Sequence, residues 1–153
     1  MANMVFFQGL RVRYNYIKIY GMMRTGSCWL HTLISDNFKQ QVLTNSLGWK
    51  HSYPVKPNPS IVEDPQGIVS IRNAFEQNKI LYIYTIKNPY SWILSMCKRR
   101  RWDVNRVELD FLQELCFKWN AFANEYVDLQ GYDSIVLKYE DLLYNTISTL
   151  ESL

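Results

Sequence analysis

The run Ile80-Leu81-Tyr82-Ile83-Tyr84-Thr85-Ile86 constrains the fold more than any other segment of the chain. It is β-branched and aromatic, with almost no polar interruption, as suits a strand covered on both faces in a parallel sheet. Lys87-Asn88-Pro89 ends it. Asn88 is a good helix N-cap, and Pro89 brings the backbone angle wanted at the first helical position. A buried strand that runs straight into a helix predicts a βα unit, and the rest of the chain repeats the alternation. Residues 16–20 alternate as a strand, with Lys18 among aliphatic and aromatic neighbours. Leu30, Leu33, Ile34 and Phe38 then share one helical face, residues 41–44 read as a second short strand, and 68–77 as a helix. The helix after Pro89 is expected to reach about Arg101. A longer amphipathic helix spans roughly 107–129, with Leu112, Leu115, Trp119, Phe122 and Tyr126 along one stripe that reads as core. Residues 134–139 read as the last strand and 141–150 as the last helix. This order predicts one domain over 1–153, a three-layer α/β/α fold around a central parallel sheet. Residues 1–13 fit no element. Residues 45–65, with Pro54, Pro57, Pro59 and Pro65, form a long irregular connection of the kind that is usually functional in a compact domain.

Composition narrows the class. With 153 residues, 48% hydrophobic and 15% aromatic, the chain can bury a real core. No apolar run approaches the ~20 residues that span a bilayer. The patch Met4-Val5-Phe6-Phe7 is too short for a signal peptide and has no small-residue cleavage site after it. Cys28, Cys97 and Cys116 contain no C-x-x-C pair, and an odd, scattered count suits a reducing compartment, so a cytoplasmic location is expected. With only His31 and His51 besides, no metal site is expected. The formal charge of +3, from 17 basic and 14 acidic residues, fits an anionic small molecule and falls short of a nucleic-acid footprint.

Two segments carry the chemistry. The first is Gly21-Met22-Met23-Arg24-Thr25-Gly26-Ser27-Cys28-Trp29, between the first strand and the first helix. Unpaired N–H groups at a helix start, together with the helix dipole, make such a turn an anion cradle. A nucleotide-triphosphatase loop reads G-x-x-x-x-G-K-[ST]. Here Gly21 and Gly26 keep that spacing, but Ser27 stands in place of Lys and Cys28 in place of the Mg²⁺ hydroxyl, while the cation sits inside the loop at Arg24. Such a cradle is expected to work without a metal. The second segment is Lys87 with Ser95, which flank a strand end and the second turn of the next helix, where a cation, a hydroxyl and a helix N-terminus can hold a further anion. The plain alternative for the first loop is an ordinary strand–helix turn.

Together these residues resemble the sulfotransferase family. Arg24-Thr25-Gly26-Ser27-Cys28-Trp29-Leu30 is similar to that family's phosphosulfate loop. Lys87-Asn88-Pro89, with Ser95 eight positions after Lys87, resembles its 3′-phosphate motif. Val136-Leu137-Lys138-Tyr139-Glu140-Asp141-Leu142 is similar to its strand-to-helix Tyr-Glu-Asp-Leu stretch. The resemblance implies a P-loop-like fold and 3′-phosphoadenosine 5′-phosphosulfate (PAPS) as donor, with 3′-phosphoadenosine 5′-phosphate (PAP) as product. It implies that Arg24 and the loop of Thr25, Gly26, Ser27, Cys28 and Trp29 bind the phosphosulfate, and that Lys87 and Ser95 bind the 3′-phosphate. There are two departures. The family usually has Arg in place of Lys87, which gives up a bidentate fork. The chain also ends at Leu153, without the basic, glycine-containing segment that closes over the nucleotide in many members. A minimal, truncated or degenerate member is therefore expected.

Sulfuryl transfer proceeds by in-line displacement, and its catalysis rests on positioning and electrostatics, as in phosphoryl transfer. Arg24 is the expected electrostatic group and His51 the candidate base, with Lys50, Glu63 and Asp64 as alternatives. The acceptor, a hydroxyl or amine on a carbohydrate, lipid, peptide or small phenol, has no readable code here. Two rivals predict different behaviour: a kinase with an unusual loop would turn over ATP with Mg²⁺, and a binding module would hold the donor without transfer. The run Lys98-Arg99-Arg100-Arg101 could attract a sulfated or phosphorylated polymer or nucleic acid, but reads more simply as cations that complement a helix C-terminus, worth ~0.3–1 kcal/mol each.

Overall fold

The computed structural model describes residues 13–51, 57–61, 68–99, 108–127 and 132–153. Its elements are β1 (Tyr16–Gly21), α1 (Ser27–Asn37), β2 (Gln41–Leu43), α2 (Ile68–Glu76), β3 (Ile80–Ile86), α3 (Pro89–Arg99), α4 (Leu109–Val127), β4 (Ser134–Lys138), α5 (Tyr139–Tyr144) and α6 (Thr146–Glu151). The four strands form one parallel sheet in the order β2-β1-β3-β4. β3 lies inside the sheet and is buried along nearly its whole length, which its apolar sequence anticipates. β4 is an edge strand whose Ser134, Val136 and Lys138 are exposed.

Period-two alternation in the strands sorts the core into two faces. Ile17 and Ile19 of β1, Leu81 and Ile83 of β3, and Leu137 of β4 pack against Leu30 and Ile34 of α1, Leu142 of α5 and Leu150 of α6. On the other face Tyr20, Ile80, Tyr82 and Tyr84 pack against Ile71 and Ala74 of α2 and Tyr126 of α4. Helices thus cover both faces of the sheet, giving three layers. Trp92 and Met96 of α3 join Leu115 of α4 and Met22 in a third cluster above the strand ends.

Besides one-residue shifts at the ends of β1, β2 and α2, two boundaries differ from expectation. Tyr139 opens α5 instead of closing β4. The single helix expected over 141–150 is broken at Asn145, whose φ −133° and ψ 45° are not helical. The neighbouring threonines suit the break: the Thr146 and Thr149 hydroxyls donate to the Leu142 and Asp141 carbonyls at 2.7 and 3.1 Å, offering the backbone an alternative to a continuous helix. Residues 1–12, 100–107 and 128–131 lie outside the described residues, and with them the expected ends of the two long helices.

The topology sets the site. From β1 the chain passes through α1 to β2 on one side, whereas β3 pairs with β1 on the other. Beyond the carboxyl ends of β1 and β3 the connections diverge, leaving the crevice where ligands bind in open parallel sheets. Gly21 and Lys87 both sit at its edge.

Candidate functional site

The loop after β1 is built by two threonines and two glycines. The Thr25 hydroxyl donates to the Met22 carbonyl at 2.7 Å and lies 2.8 Å from the Thr85 hydroxyl, which itself reaches the Tyr20 carbonyl at 3.4 Å. The Thr25 amide also reaches the Met22 carbonyl, at 3.3 Å. Gly21 lies against this pair, and a Cβ there would fall 2.0 Å from Thr85 Oγ1. Arg24 and Gly26 then take left-handed backbone angles, φ 71° and 82°. Gly26 is required twice over, because a Cβ on it would also fall 2.5 Å from the Tyr139 ring. The Leu30 amide bonds to the Gly26 carbonyl at 2.9 Å and starts α1. No side chain caps that helix, so its first-turn amides are left to whatever enters the crevice.

A cavity of about 540 Å³ occupies the crevice, and all but Thr25 of the residues expected to bind the donor line it, with the candidate base His51: Arg24, Gly26, Ser27, Cys28, Trp29, His51, Lys87 and Ser95. Thr25 is buried beneath as a strut of the loop. Arg24 Nε donates to Ser95 Oγ at 3.2 Å and links the two sequence motifs directly. The Lys87 ammonium lies 4.6 Å from the centre of the Tyr139 ring, and the Trp119 indole N–H donates to the Lys87 carbonyl at 2.8 Å. Partial burial pulls the Lys87 pKa below its ordinary value; Arg24 and Lys98 add to this and Glu140 opposes it. Asn88 caps α3 as expected, its side-chain oxygen accepting from the Tyr90 and Ser91 amides at 3.0 and 3.4 Å, while its own amide donates to Glu140 at 3.1 Å.

His51 arrives from the connection after β2, and a buried lysine fixes the path. Lys18 is fully buried, and its ammonium donates to the Thr44 and Gly48 carbonyls at 2.8 and 2.7 Å. The Tyr20 hydroxyl donates to the Leu47 carbonyl at 2.6 Å. With residues 44–48 strapped down, the Gly21 amide meets the Lys50 carbonyl at 2.9 Å, and His51 Nδ1 lies 2.5 Å from the Gly21 carbonyl. Only Nδ1–H can make that bond to a carbonyl, so the neutral ring carries its lone pair on Nε2, the form a general base needs. Burial lowers the His51 pKa first, Lys50 and Arg99 lower it further, and the Gly21 bond opposes them. The balance of these effects favours the neutral ring. The Lys50 ammonium lies 3.1 Å from Cys28 Sγ. Glu63 and Asp64, the other alternative bases, lie outside the described residues.

Sequence reasoning missed three residues. Arg99 was assigned to the helix dipole, yet it lines the cavity; the available signal was its position four residues after Ser95, on the same helical face. Tyr139 was placed in a strand and instead packs under Gly26, edge-on to Trp29 with centroids 6.3 Å apart. Lys18 read as one polar position in a strand. Among the described residues, no group of three His, Cys, Asp or Glu is arranged to hold a metal, and no helix is long and apolar enough to cross a membrane. No family model matches the chain, and no curated protein or solved structure matches it either.

Proposed function

We propose that the chain is a sulfotransferase with a P-loop-like fold that moves a sulfuryl group from PAPS to a hydroxyl or amine. The observation that carries this reading is the Arg24–Ser95 contact at 3.2 Å, which joins two anion-binding motifs in one cavity with Lys87 on its wall. The residues fit the donor. The cavity volume of about 540 Å³ falls in the range of small-molecule and cofactor sites. The uncapped α1 amides and Arg24 suit the 5′-phosphosulfate, and Lys87 and Ser95 suit a 3′-phosphate, the group that separates this donor from ATP. When bound, the donor supplies a sulfuryl group already activated by a phosphate leaving group. Arg24 offsets the charge that develops on that phosphate, and His51 Nε2 takes the proton of the acceptor. The Nδ1–H bond to Gly21 holds the ring in the tautomer this requires.

Arg24→Ala tests the reading. Turnover with PAPS is expected to fall by about 10²–10³, the usual cost of removing one preorganised donor, with the far-ultraviolet circular dichroism unchanged. Unchanged turnover removes Arg24 from the mechanism.

A further inference from the structure

Lys87 is the primary amine in the wall of the cavity, and its surroundings suit a nucleophile. Among the described residues that wall holds Arg24, Lys87 and Arg99 and no aspartate or glutamate. Neighbouring lysines are engaged: the Lys18 ammonium serves the Thr44 and Gly48 carbonyls, and the Lys50 ammonium lies 3.1 Å from Cys28 Sγ. Glu140 has a carboxylate oxygen on the Asn88 amide at 3.1 Å. The Trp119 indole N–H holds the Lys87 carbonyl at 2.8 Å, so the side chain leaves the end of β3 from a fixed point. Its ammonium lies 4.6 Å from the centre of the Tyr139 ring, the same ring that stands 2.5 Å from where a Cβ on Gly26 would fall. The amine and the start of α1 thus share one phenol ring as neighbour. Burial favours the free amine of Lys87, Arg24 and Lys98 add to this, and Glu140 opposes it. A lysine partly desolvated beside another cation is the kind that forms imines with carbonyl compounds.

We infer that Lys87 is an imine-forming lysine: the cavity takes up a small phosphorylated aldehyde, with its phosphate on Arg24 and the first amides of α1 and its carbonyl carbon on Lys87 Nζ. This goes beyond the sulfuryl-transfer reading and does not rest on it, since no nucleotide and no transferred group takes part. Charge and reach select the ligand. The uncapped amides and the cations of the wall hold a phosphate, whereas a neutral aldehyde has the amine alone to hold it. Because one ring separates the amine from the start of α1, a single ring or a short chain between carbonyl and phosphate spans the two. In the step itself the Nζ lone pair forms a bond to the carbonyl carbon, the C=O π pair moves to oxygen, and a proton passes from nitrogen to that oxygen. The oxygen then leaves as water with the remaining N–H proton, and the nitrogen pair closes the C=N bond. Nothing is oxidised or reduced. The imine, once protonated, is again a cation beside the Tyr139 ring. Such an adduct holds Arg24 and Lys87 together and excludes other anions from the cavity.

Borohydride trapping on the full chain tests this, with pyridoxal 5′-phosphate as probe and pyridoxal, the same ring and aldehyde without the phosphate, as control. Hydride converts the imine to a secondary amine that survives digestion, and peptide mass mapping locates it. One adduct per chain is expected, on Lys87, at concentrations about tenfold or more below those at which pyridoxal labels, the scale of a charge-assisted contact. Arg24→Ala is expected to close most of that gap. Lys87→Arg, which keeps the charge but cannot form an imine, is expected to lose the adduct. Glyceraldehyde 3-phosphate in a separate arm should label the same residue, and the arm that labels at the lower concentration separates a ring-bearing from an open-chain ligand. Equal labelling by pyridoxal and its phosphate overturns the inference, as do adducts on surface lysines with Lys87 unmodified; both are read on the wild-type chain. An undiminished adduct yield in Lys87→Arg overturns it too. PAP and ADP titrated without aldehyde keep the two readings apart. If PAP binds better than ADP while Lys87 stays unlabelled, the imine assignment fails alone; if Lys87 labels as expected and PAP binds no better than ADP, the sulfuryl-transfer reading fails and the imine site stands.

Discussion

Gly26→Ala perturbs the geometry on which the site depends, and the structure sets its cost. At φ 82° any L-residue other than glycine meets left-handed strain of about 1–2 kcal/mol. The added Cβ also falls 2.5 Å from Tyr139 Cδ2, too close for the ring to stay. Moving Tyr139 disturbs its contacts with Lys87 and Trp29, each worth roughly 0.5–1.5 kcal/mol. The expected destabilisation is about 2–5 kcal/mol, which for a chain of this size lowers Tm by roughly 5–20 °C. Thermal and urea unfolding of Gly26→Ala, Tyr139→Ala and the double variant separate the two contributions. In the Tyr139→Ala background the glycine substitution should retain only its conformational cost, about 1–2 kcal/mol. An equal cost in both backgrounds would refute the steric part, and a cost below 0.5 kcal/mol, roughly that of an ordinary surface change, would refute the whole argument.

Lys18→Met removes the ammonium that satisfies the Thr44 and Gly48 carbonyls, and it should cost about 2–4 kcal/mol in urea unfolding; an unchanged midpoint contradicts the strap. For His51 the sign follows from burial. Its folded pKa lies below the ordinary 6.5, so below that pH the unfolded chain takes up a proton that the folded ring resists, and stability falls as pH falls. An NMR titration of the His51 ring should inflect below 6.5, and kcat/KM should fall on the acid side of that inflection; an inflection above 6.5 contradicts the assignment. Gly21→Ala should separate Thr85 from Thr25 and weaken PAP binding with the loop, whereas Gly48→Ala meets no atom within 4 Å and tests φ strain alone through its unfolding midpoint.

The sheet was legible wherever one residue's surroundings are set by its neighbours in sequence. β3 is read from its own seven residues because a strand buried on both faces is apolar almost throughout, with Thr85 its one small polar residue. The cap at Asn88 is local in the same way, since its acceptors and donors lie within three residues. Roles fixed by distant partners were not legible. Thr25 is a strut and not part of the cavity wall because Thr85, sixty positions away, occupies its oxygen. In a strand, Lys18 suggests a face open to water, but the turn at 44–48 covers that face and supplies carbonyls for the ammonium. Arg99 and Tyr139 reach the cavity only through the packing of α3 and α5 around the strand ends, which no local periodicity encodes.

The central claim is that Arg24, Lys87 and Ser95 form one site for a ligand with two anionic groups, one of them a 3′-phosphate. Calorimetric titration of the wild-type chain and of Lys87→Ala with PAP and with ADP measures this most directly. PAP is expected to bind at least about tenfold more tightly than ADP, since a charge-assisted contact to the extra phosphate is worth roughly 1.5–3 kcal/mol. Lys87→Ala should erase most of that difference and leave ADP binding unchanged. Equal, weak binding of both nucleotides to the wild-type chain would contradict the claim.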